Sequence, residues 1–332
     1  IAGALLSMRI SNTASILMLM PVALAVLASC SDRNSLAAPL LLGLAWSCSI
    51  GGLGTPIGTP PNLILVQVYE ENTAQTISFG QWMSWGMPVV LTLLPLAWWW
   101  VTRAVPRELD IQVPAVGPWR SAERRVLVVF GLTAVAWITR AEPFGGWQRW
   151  LDLPAANDAS VALLAVVALF VVRDDQGEPL IDWAKASQIP WGVLLLFGGG
   201  ICLARAFVAS GLSAQVGDAL TAVAALPVFA MMLLLALAVT FLTEATSNTA
   251  TTALLMPVLA AVALAVEIDP LWLMVPAAMS ASCAFMLPVA TAPNAVVFGS
   301  GELPIRRMVR EGFALNLIGS LLIATVAWVS LT

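Results

Sequence analysis

The chain has 332 residues, 60% of them hydrophobic and 10% charged, with a formal net charge of −4 and no histidine. A soluble domain carries about 25% charged residues, so this chain cannot cover its core with polar surface and reads as a membrane protein. The small, scattered negative charge argues against a nucleic-acid partner, and the absence of imidazole removes histidine zinc sites, Ser-His catalysis and histidine proton relays.

Helical apolar sequence is already under way at Ile1, with no methionine and no basic leader, which reads as a chain lacking its own N-terminal part. Stretches long enough for a span of about 20 residues then recur along the chain. The predicted spans are 36–69 (broken in the middle), 82–101, 126–139, 159–172, 190–209, a paired segment 227–266, 271–298 (also broken) and 313–330. Cys30, Cys48, Cys202 and Cys283 all sit inside apolar runs, which argues against a disulfide framework. Gly198–Gly200 in the fifth span reads as close helix packing, and the tryptophans at 98–100 as an interfacial belt.

Arginine and lysine set the orientation. Arg103, Arg107, Arg120, Arg124, Arg125, Arg173, Lys185, Arg306, Arg307 and Arg310 fall on one side of this arrangement, against Arg140, Arg149 and Arg205 on the other. The first group marks the cytoplasmic face and puts the C-terminus outside. Residues 103–125, the longest polar break, read as an interfacial connector.

An internal repeat carries the function. Residues 11–25 read SNTASILMLMPVALA and residues 247–261 read SNTATTALLMPVLAA, with nine of fifteen positions identical. Each copy is followed by a second element, GTPPN at 58–62 and ATAPN at 290–294. Five predicted crossings separate the two copies, and an odd number means that they enter from opposite faces. Inverted repeats with broken helices are the architecture of secondary transporters, with the site where the breaks meet.

Each Ser-Asn-Thr sits between short apolar arms, as at the tip of a re-entrant hairpin; for the first copy the preceding arm is expected to lie outside the chain. Ser or Asn at a tip caps the following half-helix, whose N–H groups and positive dipole end attract an anion. The Gly- and Pro-rich run at 51–62 breaks a through-going span and frees carbonyl oxygens for a small hard cation. Plain caps and kinks would explain one copy. Two copies, each with a matched broken helix, favour a site.

Ser-Asn-Thr twice, GTPPN and the PVATAPNAVVFGSG run at 288–301 closely resemble the divalent anion/sodium symporter family, across essentially the whole chain. The resemblance implies an all-α polytopic membrane protein, an inverted-repeat secondary transporter of elevator type with two re-entrant hairpins and two broken helices, and it implies that an N-terminal part is missing. It implies sodium-coupled symport of small divalent anions, C4-dicarboxylates foremost among succinate, malate, fumarate, citrate and sulfate, by a homodimer in the inner (plasma) membrane. Ser11, Asn12, Thr13, Ser247, Asn248 and Thr249, with Thr59 and Thr291, would bind the substrate. One sodium site would use Ser7, Ser11, Asn12 and Gly58; the other would use Thr243, Thr246, Asn248 and Ala290. Residues 1–101 and 210–332 would form the two transport-domain halves, 102–125 the connector and 126–209 the scaffold spans.

The chain departs from the family pattern at Ala292, where a proline is usual, and at Arg9, where an aromatic residue is expected. Arg9 reads as an ion-pair partner, of Glu244 or of a residue beyond the chain, rather than as an attractor of the anion. Glu244, the carboxylate deep in the second hairpin, is a functional candidate, either a proton carrier or a fixed charge beside the cation. The competing reading is a sodium-independent anion exchanger of the same fold. An intramembrane protease lacks its Ser-His or paired-Asp residues, and no enzyme activity is expected.

Overall fold

The structure, a computed structural model, describes residues 1–30, 32–103, 105–106, 119–140, 146–187 and 226–332, with 195, 199, 202, 206, 210 and 211 as isolated positions. The predicted span 190–209 with its Gly198–Gly200 packing, and most of the connector, lie outside the described residues.

Apolar sequence in lipid must satisfy its backbone within each segment, so it coils. The described residues form helices and no β-strand. In chain order these are α1 (Ala2–Ser7), α2 (Asn12–Ala28), α3 (Arg33–Gly51), α4 (Pro60–Thr73), α5 (Phe79–Thr102), α6 (Ser121–Ile138) and α7 (Gly146–Trp150). There follow α8 (Asp158–Val171), α9 (Trp183–Ala186), α10 (Val228–Thr243), α11 (Asn248–Ala265), α12 (Leu271–Ala281), α13 (Ala292–Gly299) and α14 (Ile305–Leu331). Among the described residues, α3 with its 3₁₀ extension to Gly54, α5, α11 and α14 are long and apolar enough to cross a membrane; α2, α8, α10 and α12 are shorter and apolar. All four cysteines are free thiols.

The last helix begins at Ile305, well before the predicted 313. Arg306, Arg307 and Arg310 hide its first two turns from a hydropathy reading. The same turns bury Met308 and Gly312, so packing holds them helical while the long arginine stems carry their charges outward. Six residues of helix, α1, also precede the first Ser-Asn-Thr, where no arm was expected.

The chain divides into two compact units. The larger comprises Ile1–Ile77, Trp82–Val113 and Leu195–Thr332; the smaller comprises Ser78–Gln81 and Pro114–Leu194. In the smaller unit α6 packs on α8. Phe79 stacks on Trp137 with ring centroids 5.1 Å apart, and Arg140 pairs with Asp158 at 2.6 Å. In the larger unit the two repeats interlock. α11, which follows the second Ser-Asn-Thr, packs on α4, the helix after the first break. Reciprocally α13, the half-helix after the second break, packs on α2 and α3. Trp46, Trp82 and Phe285, fully buried, fill the core around both breaks.

Candidate functional site

The two tips are built alike. α1 ends at Ser7 and α2 starts at Asn12; α10 ends at Thr243 and α11 starts at Asn248. Ser11 caps α2 by accepting from the Ala14 N–H at 3.2 Å, and Ser247 caps α11 by accepting from the Ala250 N–H at 3.5 Å. Five residues before each asparagine a fully buried hydroxyl donates to its Oδ1: Ser7 to Asn12, and Thr243 to Asn248 at 2.7 Å.

The breaks match as closely. After α3 a 3₁₀ turn (Gly52–Gly54) gives way to extended backbone at Thr55 and Thr59 before α4. After α12 the chain is unwound until Thr291, which is also extended. The side-chain amide of Asn62 donates to the carbonyls of Gly52 (2.9 Å) and Thr55 (2.8 Å). The amide of Asn294 donates to those of Ala284 and Leu287, both at 3.0 Å. These acceptors stand ten and seven residues before the asparagine in both repeats, so one carboxamide pins each unwound segment. Prolines follow Thr59 at the first two positions of α4. Where Ala292 replaces one of them, Thr291 caps α13 through the Asn294 N–H at 3.2 Å, and the half-helix still starts cleanly. The breaks meet: the Ser282 hydroxyl lies 3.4 Å from that of Thr59.

The reading of motifs missed the braces around each break. Trp82 donates its indole N–H to the Leu53 carbonyl (2.9 Å), and Trp46 donates to the Phe285 carbonyl (3.2 Å). A β-carbon on Gly86 would overlap the Leu53 carbonyl oxygen, and one on Gly312 would overlap that of Phe285. Leu53 and Phe285 are 232 residues apart, as are Asn62 and Asn294. That register, had the breaks been aligned to each other, points to these positions.

The geometry suits a cation at each tip-and-break pair. A β-carbon on Gly52 would lie 2.8 Å from Asn12 Oδ1 and 3.2 Å from the Gly58 carbonyl oxygen, so the bare glycine lets both oxygens approach this turn. In the second repeat Thr243 Oγ1 lies 2.7 Å from Asn248 Oδ1 and 3.0 Å from the carbonyl oxygen of Ala281. Three oxygens therefore converge, one of them the Ala281 carbonyl at the end of α12, which lies outside the predicted set. Ala290 is buried near this break. The Thr246 hydroxyl is occupied by the Leu242 carbonyl (2.9 Å) and by Thr251 (2.6 Å). Of the residues predicted to bind the substrate, Ser11, Thr13 and Ser247 are exposed, Asn12, Asn248 and Thr249 half-buried, and Thr59 and Thr291 buried.

Glu244 is buried, and its carboxylate accepts from the backbone N–H groups of Met286 (2.9 Å) and Leu287 (2.8 Å) and from the Asn316 amide (2.7 Å). Asn316 in turn accepts from the Phe285 N–H at 3.1 Å. Three donors face its carboxylate oxygens, so Glu244, just after α10, ties the second break to α10 and to α14. In the first repeat Thr55 Oγ1 instead donates to the Met8 carbonyl at 2.6 Å.

The family model of the sodium:sulfate symporter transmembrane region matches residues 58–332. A sodium-dependent dicarboxylate transporter SdcS of Staphylococcus saprophyticus is 37% identical over 352 aligned residues, covering 99% of this chain and 67% of that protein. Proteins of the same name from Staphylococcus aureus strains RF122 and MSSA476 are 35% identical with the same coverage.

Proposed function

The chain belongs to the sodium:sulfate symporter family, as an all-α membrane transporter and not an enzyme, and from that premise we propose that it couples sodium to the uptake of small divalent anions, C4-dicarboxylates foremost. The observation that carries this reading is the paired site, in which each asparagine-bearing tip lies against an unwound, carbonyl-lined break. The half-helices α2, α4, α11 and α13 start at these points and offer N–H groups and positive dipole ends to a dianion. α3 with its 3₁₀ turn and α12 end there and offer carbonyl oxygens to sodium. Asn12 and Asn248 present an amide donor to the anion and a carbonyl oxygen to the cation.

In this proposal Ser11, Asn12, Thr13, Thr59, Ser247, Asn248, Thr249 and Thr291 bind the substrate. Ser7, Ser11, Asn12 and Gly58 hold one sodium ion; Thr243, Thr246, Asn248 and Ala290, joined by Ala281, hold the other. The two tips act as re-entrant hairpins of opposite orientation. The larger compact unit acts as the transport domain and the smaller as scaffold, in an elevator movement within a homodimer in the plasma membrane. The test is uptake of labelled succinate into proteoliposomes with external sodium replaced by potassium or choline. Uptake should cease. Uptake that survives the swap and follows an opposing anion gradient overturns sodium coupling in favour of exchange, and uptake driven by a pH gradient alone makes Glu244 the coupling group. A counterflow panel of succinate, malate, fumarate, citrate and sulfate then ranks the substrates, with the C4-dicarboxylates expected first.

A further inference from the structure

Away from the tips, the larger unit holds a cavity of about 640 Å³ rimmed by Arg103, Arg306, Arg307, Arg310 and Glu311, with Leu42 on its apolar side. Its charges do not balance. Glu311 is taken by Arg103 at 2.6 Å, and nearby Glu302 by Arg33 at 2.5 Å. Arg310 reaches Glu311 only at 3.9 Å, and among the described residues Arg306 and Arg307 have no carboxylate partner. These three arginines also occupy the first two turns of α14, which has no acidic residue in its first turn and no side-chain cap on Pro304. Cations at the positive end of a helix dipole are unfavourable for the protein alone, so the arrangement favours an added anion.

Arg103 is preset for such a ligand. Its guanidinium lies 3.8 Å over the Trp100 ring while also holding Glu311. The neighbouring Trp98 and Trp99 are exposed on α5 as at a headgroup belt. The cavity therefore pairs a guanidinium cluster, suited to bidentate phosphate contacts, with an apolar flank at the level of the lipid headgroups. We propose that it binds the phosphate headgroup of an anionic phospholipid. A basic cluster between membrane helices on the positively charged side is the setting in which such headgroups bind.

The test is thermal unfolding of the purified chain in neutral detergent, with added phosphatidylglycerol, phosphatidylcholine or inorganic phosphate at matched concentration. Phosphatidylglycerol alone should raise the melting temperature. The double variant Arg306→Gln/Arg307→Gln should need at least about tenfold more of that lipid for half the effect. Arg124→Gln, which removes one positive charge from the same predicted face but lies outside the cavity, should behave as the parent. If the double variant does not fold, Arg306→Gln alone should weaken the response several-fold. An equal response to phosphatidylcholine, an equal response to inorganic phosphate, or an unchanged requirement in the arginine variants overturns the proposal.

Discussion

Asn12 and Asn248 each accept at Oδ1 from a buried hydroxyl, Ser7 or Thr243, and this fixes the orientation of their amide N–H groups. An Asn→Asp change keeps the size, removes those donors and adds a negative charge beside an anionic substrate. Lost hydrogen bond and repulsion act together, each on the order of 1–3 kcal/mol in a partly desolvated site. Asn12→Asp or Asn248→Asp should therefore weaken apparent dicarboxylate affinity at least about tenfold, one decade being about 1.4 kcal/mol, as read from concentration dependence of uptake. Asn157→Asp is the matched control, because it caps α8 with an oxygen that aspartate also supplies. Asn316 would be a poor control: it lies outside both motifs, yet it is fully buried against Glu244. Gly52→Ala crowds two oxygens of the proposed cation site, since its methyl would sit 2.8 Å from Asn12 Oδ1 and 3.2 Å from the Gly58 carbonyl oxygen. It should raise the sodium concentration for half-maximal uptake several-fold, with a smaller change in substrate affinity at saturating sodium. An unchanged sodium requirement in a folded Gly52→Ala protein would place the ion away from these two oxygens.

At the scale of elements, the helices on either side of the breaks tolerate unwinding because their neighbours take up the freed backbone groups. Gly86 and Gly312 let α5 and α14 approach the Leu53 and Phe285 carbonyls, where a methyl would overlap. Gly86→Ala and Gly312→Ala should each destabilise the folded protein by roughly 1–3 kcal/mol, as overpacking does, seen as a lower unfolding midpoint. Gly131→Ala on α6 meets nothing within 4 Å and should instead stabilise by about 0.5–1 kcal/mol. The contrast marks what the sequence could and could not display. Ser-Asn-Thr and the Gly-Pro runs announce tips and breaks because their chemistry is local. Gly86 looks like any glycine in an apolar helix, and its role depends on a carbonyl more than thirty residues earlier. The start of α14 was misread for a related reason: Arg306, Arg307 and Arg310 dominate a local average while Met308 and Gly312 pack out of its sight.

Across the whole molecule, every predicted binding residue falls within the larger unit, while α6 to α9 of the smaller unit carry none. The repeat made the two Ser-Asn-Thr turns and the two breaks readable, since each pair carries the same motif. That the breaks meet was expected from the inverted repeat, but the particular Ser282–Thr59 contact and the packing of α11 on α4 were not readable, because they join residues far apart in sequence. Glu244 shows the same limit: its position suggested an ion, and its partners are backbone N–H groups of the break and Asn316. If ligands bind where the repeats interlock, they should rigidify that unit selectively. Hydrogen exchange on the purified protein should then show that sodium with succinate slows exchange at residues 8–14, 52–62, 244–250 and 282–294. Amides of α6 and α8 should exchange at the same rate with and without ligands. If the proposed cation sites lie on the same backbone that the anion then completes, sodium alone should protect part of these segments. Equal protection of α6 and α8 would spread the site over both units and remove the basis for a separate transport domain. Protection by succinate that is identical with potassium in place of sodium would uncouple the two ligands, whatever the fold.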